Sequence, residues 1–236
     1  MTASPIDASV LDALRRLDTP TVCNALERVV PERRGHGYTI DPLVCPYPDL
    51  PPMVGFARTA TMAAMYPPAE PDAEVMDRRV AYYRYIAEGG PLPSVVVIHD
   101  TDPHPGYGAF WGEVNTNIHK GLGALGLVTN GSVRDIDENA EGFALLAGLV
   151  GPSHAWARVE SFGGRITVAG MTVDSGDLIH ADRHGAVVIP PEAAAAVPEA
   201  AAAIAREEAV LIEAAKRPGF GIDALETAMG RRKDIH

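Results

Sequence analysis

At 236 residues, 47% hydrophobic and 22% charged, the chain has the length and apolar content to bury a core of its own, which argues against disorder and for one domain over residues 1–236. A formal charge of −11 argues against a nucleic-acid partner, because tracking phosphates requires concentrated Lys and Arg. Cys23 and Cys45 are too isolated for a disulfide scaffold or zinc site, and no uncharged run reaches transmembrane length, so a cytoplasmic protein without a membrane partner is expected.

Residues 8–29 carry Val10, Leu14, Leu17, Val22, Leu26 and Val29 at helical spacing, interrupted at Asp18-Thr19-Pro20. Two short helices follow from this, with Thr19 as cap and Pro20 in a first turn. Residues 41–53 hold five of the 20 prolines and read as a loop. Residues 55–62 read as a strand, and 72–88 as a helix carrying Val75, Val80, Tyr83 and Ile86. The run SVVVIH, 94–99, is a strand buried on both faces.

After a loop, Trp111, Val114, Ile118, Leu122 and Leu125 share one helical face, and LGLVTNG forms a second buried strand. A helix is predicted over 137–148, strand-like runs over 157–190, and an Ala-rich helix over 193–216 with Pro198 as a break. The cluster Arg231-Arg232-Lys233 reads as a solvated tail. The order of elements predicts one α/β domain with a mixed sheet and a C-terminal helix.

Two glycine-rich stretches differ in meaning. GLGALG, 121–126, satisfies G-x-G-x-x-G, but it ends a helix and leads into a strand, the reverse of a dinucleotide fingerprint. Gly106, Gly108 and Gly112 instead surround the start of a helix, beginning near Trp111, whose first-turn N–H groups, at Gly112, Glu113, Val114 and Asn115, can hold a carboxylate. The next strand ends in Asn130-Gly131 and then Arg134-Asp135. An arginine fork suits a carboxylate or enolate oxygen, and an Asp can hold hydrated Mg²⁺. On spacing alone, the same pair also suits a helix cap or a surface salt bridge.

The run GEVNTNIHKGLGALGLVTNGSVRDIDE, with GFARTATM upstream and VDSGDLIHADRHGAVVIPPE downstream, resembles the family of the regulator of ribonuclease activity A and the 4-hydroxy-4-methyl-2-oxoglutarate/4-carboxy-4-hydroxy-2-oxoadipate aldolases, over most of residues 10–210. The resemblance implies an α/β/β/α swivelling-type domain assembled as a homotrimer or hexamer with sites between subunits. It implies pyruvate bound at Gly112, Glu113, Val114 and Asn115, substrate held by Arg134, Mg²⁺ or Mn²⁺ held by Asp135, and an acid, Glu207 or Glu208, from a neighbouring subunit. The chain departs from the family's pattern at Asn24, where members have Asp, and at Asn130-Gly131-Ser132. His119 also stands where small residues are expected.

Among His99, His104, His119, His180 and His184, His119 is the best candidate for acid/base work, one turn beyond the anion site. His184 lies in a His-Gly turn that resembles a phosphohistidine segment and reads more simply as a turn between strands. The leading expectation is a metal-dependent lyase that cleaves a small 2-oxo acid through a pyruvate enolate, by retro-aldol cleavage or oxaloacetate-type decarboxylation. Arg134, Glu113 and His119 are its catalytic candidates. The alternatives are a protein-binding regulator resembling the ribonuclease inhibitor, or an isomerase or hydratase on the same enolate scaffold.

Overall fold

The computed structural model describes residues 5–233, and the Arg231-Arg232-Lys233 side chains expected as a tail lie outside the described residues. Helices α1 (Ala8–Leu14) and α2 (Thr19–Val29) follow the predicted pair. Asp18, rather than Thr19, is the cap: its carboxylate accepts from the Thr21 N–H at 2.9 Å. Thr19 turns inward and meets the buried His180 ring at 3.0 Å. Pro20 falls in the first turn, where a missing N–H leaves no bond unmade.

After the proline-rich loop, β1 (Met53–Ala63) is buried along nearly its whole length. Helix α3 (Asp72–Glu88) has the predicted bounds, but it buries Tyr82 and Ile86 while Val80 faces solvent. Strand β2 (Ser94–Asp100) sends Val96 and Ile98 into one core and Val95 and Val97 into another. Cover on both faces is why this run has no polar alternation.

Helix α4 (Glu113–Gly121) is shorter than the predicted face. Val114 is exposed and Leu125 belongs to β3 (Ala124–Thr129), because Gly123, at φ +94°, stops the helix and turns the chain. Past β3 come β4 (Ser132–Val133), then β5 (Ala144–Leu146) and β6 (Leu149–Val150).

The helix expected over 137–148 is therefore not formed. Gly142, at φ +72°, turns the chain, and β5 joins the sheet parallel to β3, burying Phe143 and Leu145 beside Trp111. Sheet pairing and burial override the helix propensity of this Ala- and Leu-rich run.

Strands β7 (Arg158–Phe162), β8 (Ile166–Val168), β9 (Met171–Val173), β10 (Leu178–Asp182) and β11 (Gly185–Ile189) fill the region read as strand-like. Arg183 and His184 form the turn between β10 and β11, whose ends pair Asp182 with Gly185. Pro198 does not break α5 (Val197–Ala215) but stands in its first turn, and a further helix, α6 (Ile222–Lys233), follows that the sequence reading does not include.

The main sheet is ordered β11-β10-β1-β2-β3-β5. Strands β1, β2, β3 and β5 run parallel, and β10 and β11 antiparallel. One edge of β1 pairs first with β10 and then with β7, with an irregularity at Thr61/Met62 that bends the sheet. Helices α3 and α4 cover one face over Met62, Ile98 and Leu127, and the β8–β9 hairpin covers the other over Val95 and Val128. Helices α1, α2 and α5 pack on the β10–β11 end through Leu14, Val22 and Ile189. The result is the expected α/β/β/α arrangement with a curled mixed sheet. Among the described residues no helix is long and apolar enough to cross a membrane.

Candidate active site

The parallel strands β2 and β3 end side by side, and Asn130 joins them there. Its Oδ1 accepts from the Asp100 N–H at 2.8 Å and its Nδ2 donates to the Asp100 carbonyl at 3.0 Å. The side-chain amide thus acts as one more peptide unit of the ladder. Gly131 follows because a Cβ would come within 3.1 Å of the Asp100 side chain.

The loop from Asp100 is pinned from inside. The fully buried Asp100 carboxylate accepts from the Asp102 N–H at 3.1 Å and the Gly106 N–H at 2.7 Å. Burial raises the pKa of its carboxyl above the ordinary value, against the opposing pull of those two N–H groups. Asp102 in turn accepts from the Ala64 and Met65 N–H groups at 2.6 and 2.9 Å. Two buried carboxylates therefore fix the loop that delivers α4.

Trp111 bridges to Val133, and the Arg134 N–H donates to the Trp111 carbonyl at 2.9 Å. This pairing sets Arg134-Asp135 against the start of α4. Asp135 adopts φ +52°, a left-handed conformation uncommon outside glycine and associated with functional sites. Its Oδ2 lies 3.3 Å from the Glu113 nitrogen and 3.6 Å from Arg134 Nε. A Cβ on Gly112 would stand 2.3 Å from that oxygen, so glycine is what allows the carboxylate this close to the helix. The carboxylate engages one first-turn N–H, while those of Val114 and Asn115 keep no intrahelical partner.

Gly112, Val114, Asn115, Arg134 and Asp135 converge on a cleft of about 260 Å³, with Glu113 exposed beside it. Two residues join them that sequence reasoning missed. Arg79 of α3 holds its guanidinium 5.8 Å from the centre of the Phe110 ring. His154 sets Nδ1 2.7 Å from the Ala155 carbonyl; a carbonyl only accepts, so Nδ1 is the donor of that bond. No local pattern distinguishes Arg79 from its neighbour Arg78, which pairs with Glu70 at 3.0 Å.

His119 is behind this cleft, not in it, and the expected acid/base role is corrected accordingly. The ring is fully buried, with Nδ1 2.6 Å from the Asn115 carbonyl and Nε2 2.8 Å from the Tyr82 hydroxyl. Nδ1 must donate to the carbonyl, so Nε2 accepts from the phenol. Burial lowers its pKa from 6.5 to about 4, leaving a neutral brace. Glu207 and Glu208 are on α5, away from this cleft of their own chain. Glu207 is buried against Arg28 at 2.6 Å, and Glu208 is exposed.

Among the described residues no group of three His, Cys, Asp or Glu side chains could hold a metal ion. The donor set is one carboxylate, Asp135, kept uncrowded by the missing Cβ of Gly112. That set suits a hard cation that retains most of its waters, such as Mg²⁺ or Mn²⁺, and does not suit zinc.

A family model described as RraA-like, aldolase/RraA, matches residues 19–188. No curated protein matches the chain. Among solved structures, an uncharacterized protein from Pseudomonas syringae pv. tomato is 26% identical, with TM-score 0.67 over 95% of this chain and 98% of that one. A protein described among novel cellulases from gut-associated microbes is 21% identical, with TM-score 0.70 over 88% and 89% of the two chains. Streptomyces coelicolor RraAS2, an unusual member of the RNase ES inhibitor RraA family, is 21% identical, with TM-score 0.65 over 92% and 100%. The last two likenesses show the fold alone. Because the family model spans most of the chain and includes Gly112, Arg134 and Asp135, the chain belongs to the RraA-like family.

Proposed function

We propose that the chain is a divalent-metal-dependent lyase that cleaves a C–C bond of a small 2-oxo acid, by retro-aldol cleavage or oxaloacetate-type decarboxylation. The observation that carries this reading is the convergence of Arg134, Asp135 and the α4 N-terminus on one small cleft. The RraA-like family includes metal-dependent lyases and non-catalytic ribonuclease inhibitors, so membership leaves the activity to be argued from the site.

The N–H groups of Val114 and Asn115 bind the substrate carboxylate, where the helix dipole favours an anion. The Arg134 guanidinium faces the C2 oxygen and stabilises the negative charge that gathers there as the C3–C4 bond breaks. In the aldol route the C4 hydroxyl gives up its proton as a carbonyl compound leaves, and in the decarboxylation route CO₂ leaves; in both, the bonding pair passes into the pyruvate enolate and a proton returns to C3. Glu113, exposed in the first turn, orients or deprotonates a water for these proton transfers. A Mg²⁺ or Mn²⁺ ion held by Asp135 and water supplies Lewis-acid polarisation of the substrate carbonyl when bound. His119 takes no part in proton transfer and braces α4 from behind. Glu207 or Glu208 of a neighbouring copy, in a homotrimer or hexamer, is the proposed additional acid; sedimentation velocity tests the assembly, and a monomer at assay concentration removes that role.

A coupled pyruvate assay on oxaloacetate and on 4-hydroxy-2-oxo acids, with Mg²⁺ and again with EDTA, tests the reading. Turnover is expected with Mg²⁺ and is lost with EDTA. Arg134→Ala abolishes pyruvate release with the circular dichroism spectrum unchanged. Absence of metal-dependent turnover on every substrate, or an Arg134→Ala variant as active as the parent, overturns the assignment in favour of a protein-binding regulator or another reaction.

A further inference from the structure

Asn115 lines the cleft from the first turn of α4, and elementary hydrogen-bond chemistry assigns its amide orientation. One end lies against the Phe110 carbonyl oxygen. That oxygen only accepts, so the facing atom must be Nδ2. The other end is 2.6 Å from the Tyr83 hydroxyl and is therefore Oδ1, with the phenol donating. Phe110 takes one of the two hydrogens on Nδ2. The second has no partner among the described residues.

The reverse orientation would set Oδ1 against the Phe110 carbonyl, two acceptors in contact, so the amide is held as a donor. Burial raises the Tyr83 pKa, which keeps its phenol protonated and able to donate. Tyr83 is one helical turn beyond Arg79 on α3. One face of α3 thereby supplies both a cation of the cleft and the group that fixes Asn115.

We propose that Asn115 contacts the ligand through its side chain as well as its backbone, donating the second Nδ2 hydrogen to a carboxylate or enolate oxygen, with Tyr83 as the positioning residue. The assignment rests on the 2-oxo acid reading and names a specificity-determining contact within it. An anionic oxygen gains a charge-assisted hydrogen bond there, whereas a cationic or purely apolar ligand does not.

Oxalate, a planar dianion shaped like the pyruvate enolate, is the probe, titrated calorimetrically into the full chain with Mg²⁺ present. Asn115→Leu keeps the bulk and removes the donor; oxalate binding weakens about tenfold, equivalent to about 1.4 kcal/mol. Tyr83→Phe deletes only the orienting hydroxyl and weakens binding about threefold or more. If Asn115→Leu does not fold, Tyr83→Phe and the parent's spectra decide.

In the unsubstituted protein, one Asn115 side-chain NH₂ proton moves downfield on saturation with oxalate, as a new hydrogen bond to an anionic oxygen requires. Binding within about twofold of the parent in every folded variant, or NH₂ resonances that do not move, overturns this inference alone. Failure of the unsubstituted protein to bind oxalate overturns the 2-oxo acid reading and this contact with it.

Discussion

Replacing His119 by Phe tests the placement of the ring, because it retains an aromatic side chain while removing the titration. Folded, the ring has a pKa of about 4 through burial, against an ordinary value of 6.5. Between those values the unfolded chain takes up a proton that the folded chain refuses, so stability falls as pH drops through this window; above it, His119 contributes no slope. Crossing the whole window costs the folded state about 3 kcal/mol, and descending only to pH 5 costs about 2 kcal/mol.

At neutral pH the variant is weaker than the parent by about 1–3 kcal/mol, because the Tyr82 hydroxyl loses its acceptor. The gap should then narrow by about 2 kcal/mol on going to pH 5, since only the parent carries the penalty. Two other buried groups titrate with opposite signs. His180 is lowered mainly by burial and adds to the loss, whereas Asp100 is raised mainly by burial and opposes it. Both remain in the variant, so the difference between the two curves isolates His119. Urea unfolding at intervals from pH 7 to 5 provides the measurement. A gap that stays constant across that range would mean that the ring is not held neutral by burial, and the reasoning fails.

Two substitutions separate site geometry from fold. Gly112→Ala places a methyl group where Asp135 Oδ2 now lies, 2.3 Å from the new Cβ. The obstructing atom is the tip of a side chain and the Gly112 backbone is extended, so the melting temperature should change by less than about 3 °C. Pyruvate release should fall about a hundredfold; full activity would show that Asp135 need not sit beside the helix. Asn130→Ala leaves the Asp100 N–H and carbonyl without their side-chain partner and should destabilise by about 2 kcal/mol. Hydrogen exchange should rise around residues 100–106, and unaltered protection there would show that the amide is not what joins the strand ends.

The parts legible in the sequence are those whose cause is local. The β2 run is apolar because both its faces are covered, and the bounds of α3 follow from Pro71 before it and Gly89 after it. The places of Gly112 at a helix start and of Arg134 and Asp135 past a strand end are legible by position, whereas the roles proposed for them come from the family resemblance. Residues 137–148 are misread because Ala and Leu favour helix, whereas the fold needs an edge strand beside β3. Arg79 and His154 leave no local mark, because each reaches the cleft only through tertiary packing.

His119, Asn115 and Asn130 show how a residue's chemistry is reassigned by what it faces. Each is polar, and residue type alone points to reactive or recognition chemistry. His119 instead donates to the carbonyl of residue 115, Asn115 to that of residue 110, and Asn130 exchanges two hydrogen bonds with the backbone of residue 100. All three brace main chain on the segments that deliver α4 and the β3 terminus. At His119 and Asn130 these bonds support the scaffold behind the cleft. Neither side chain is among the groups, Gly112, Arg134 and Asp135, on which the proposed chemistry depends. Asn115 does both, since one amide hydrogen holds the loop and the other is free for a ligand. Substitution at 115 should consequently change binding, whereas substitution at 119 or 130 should act first on stability.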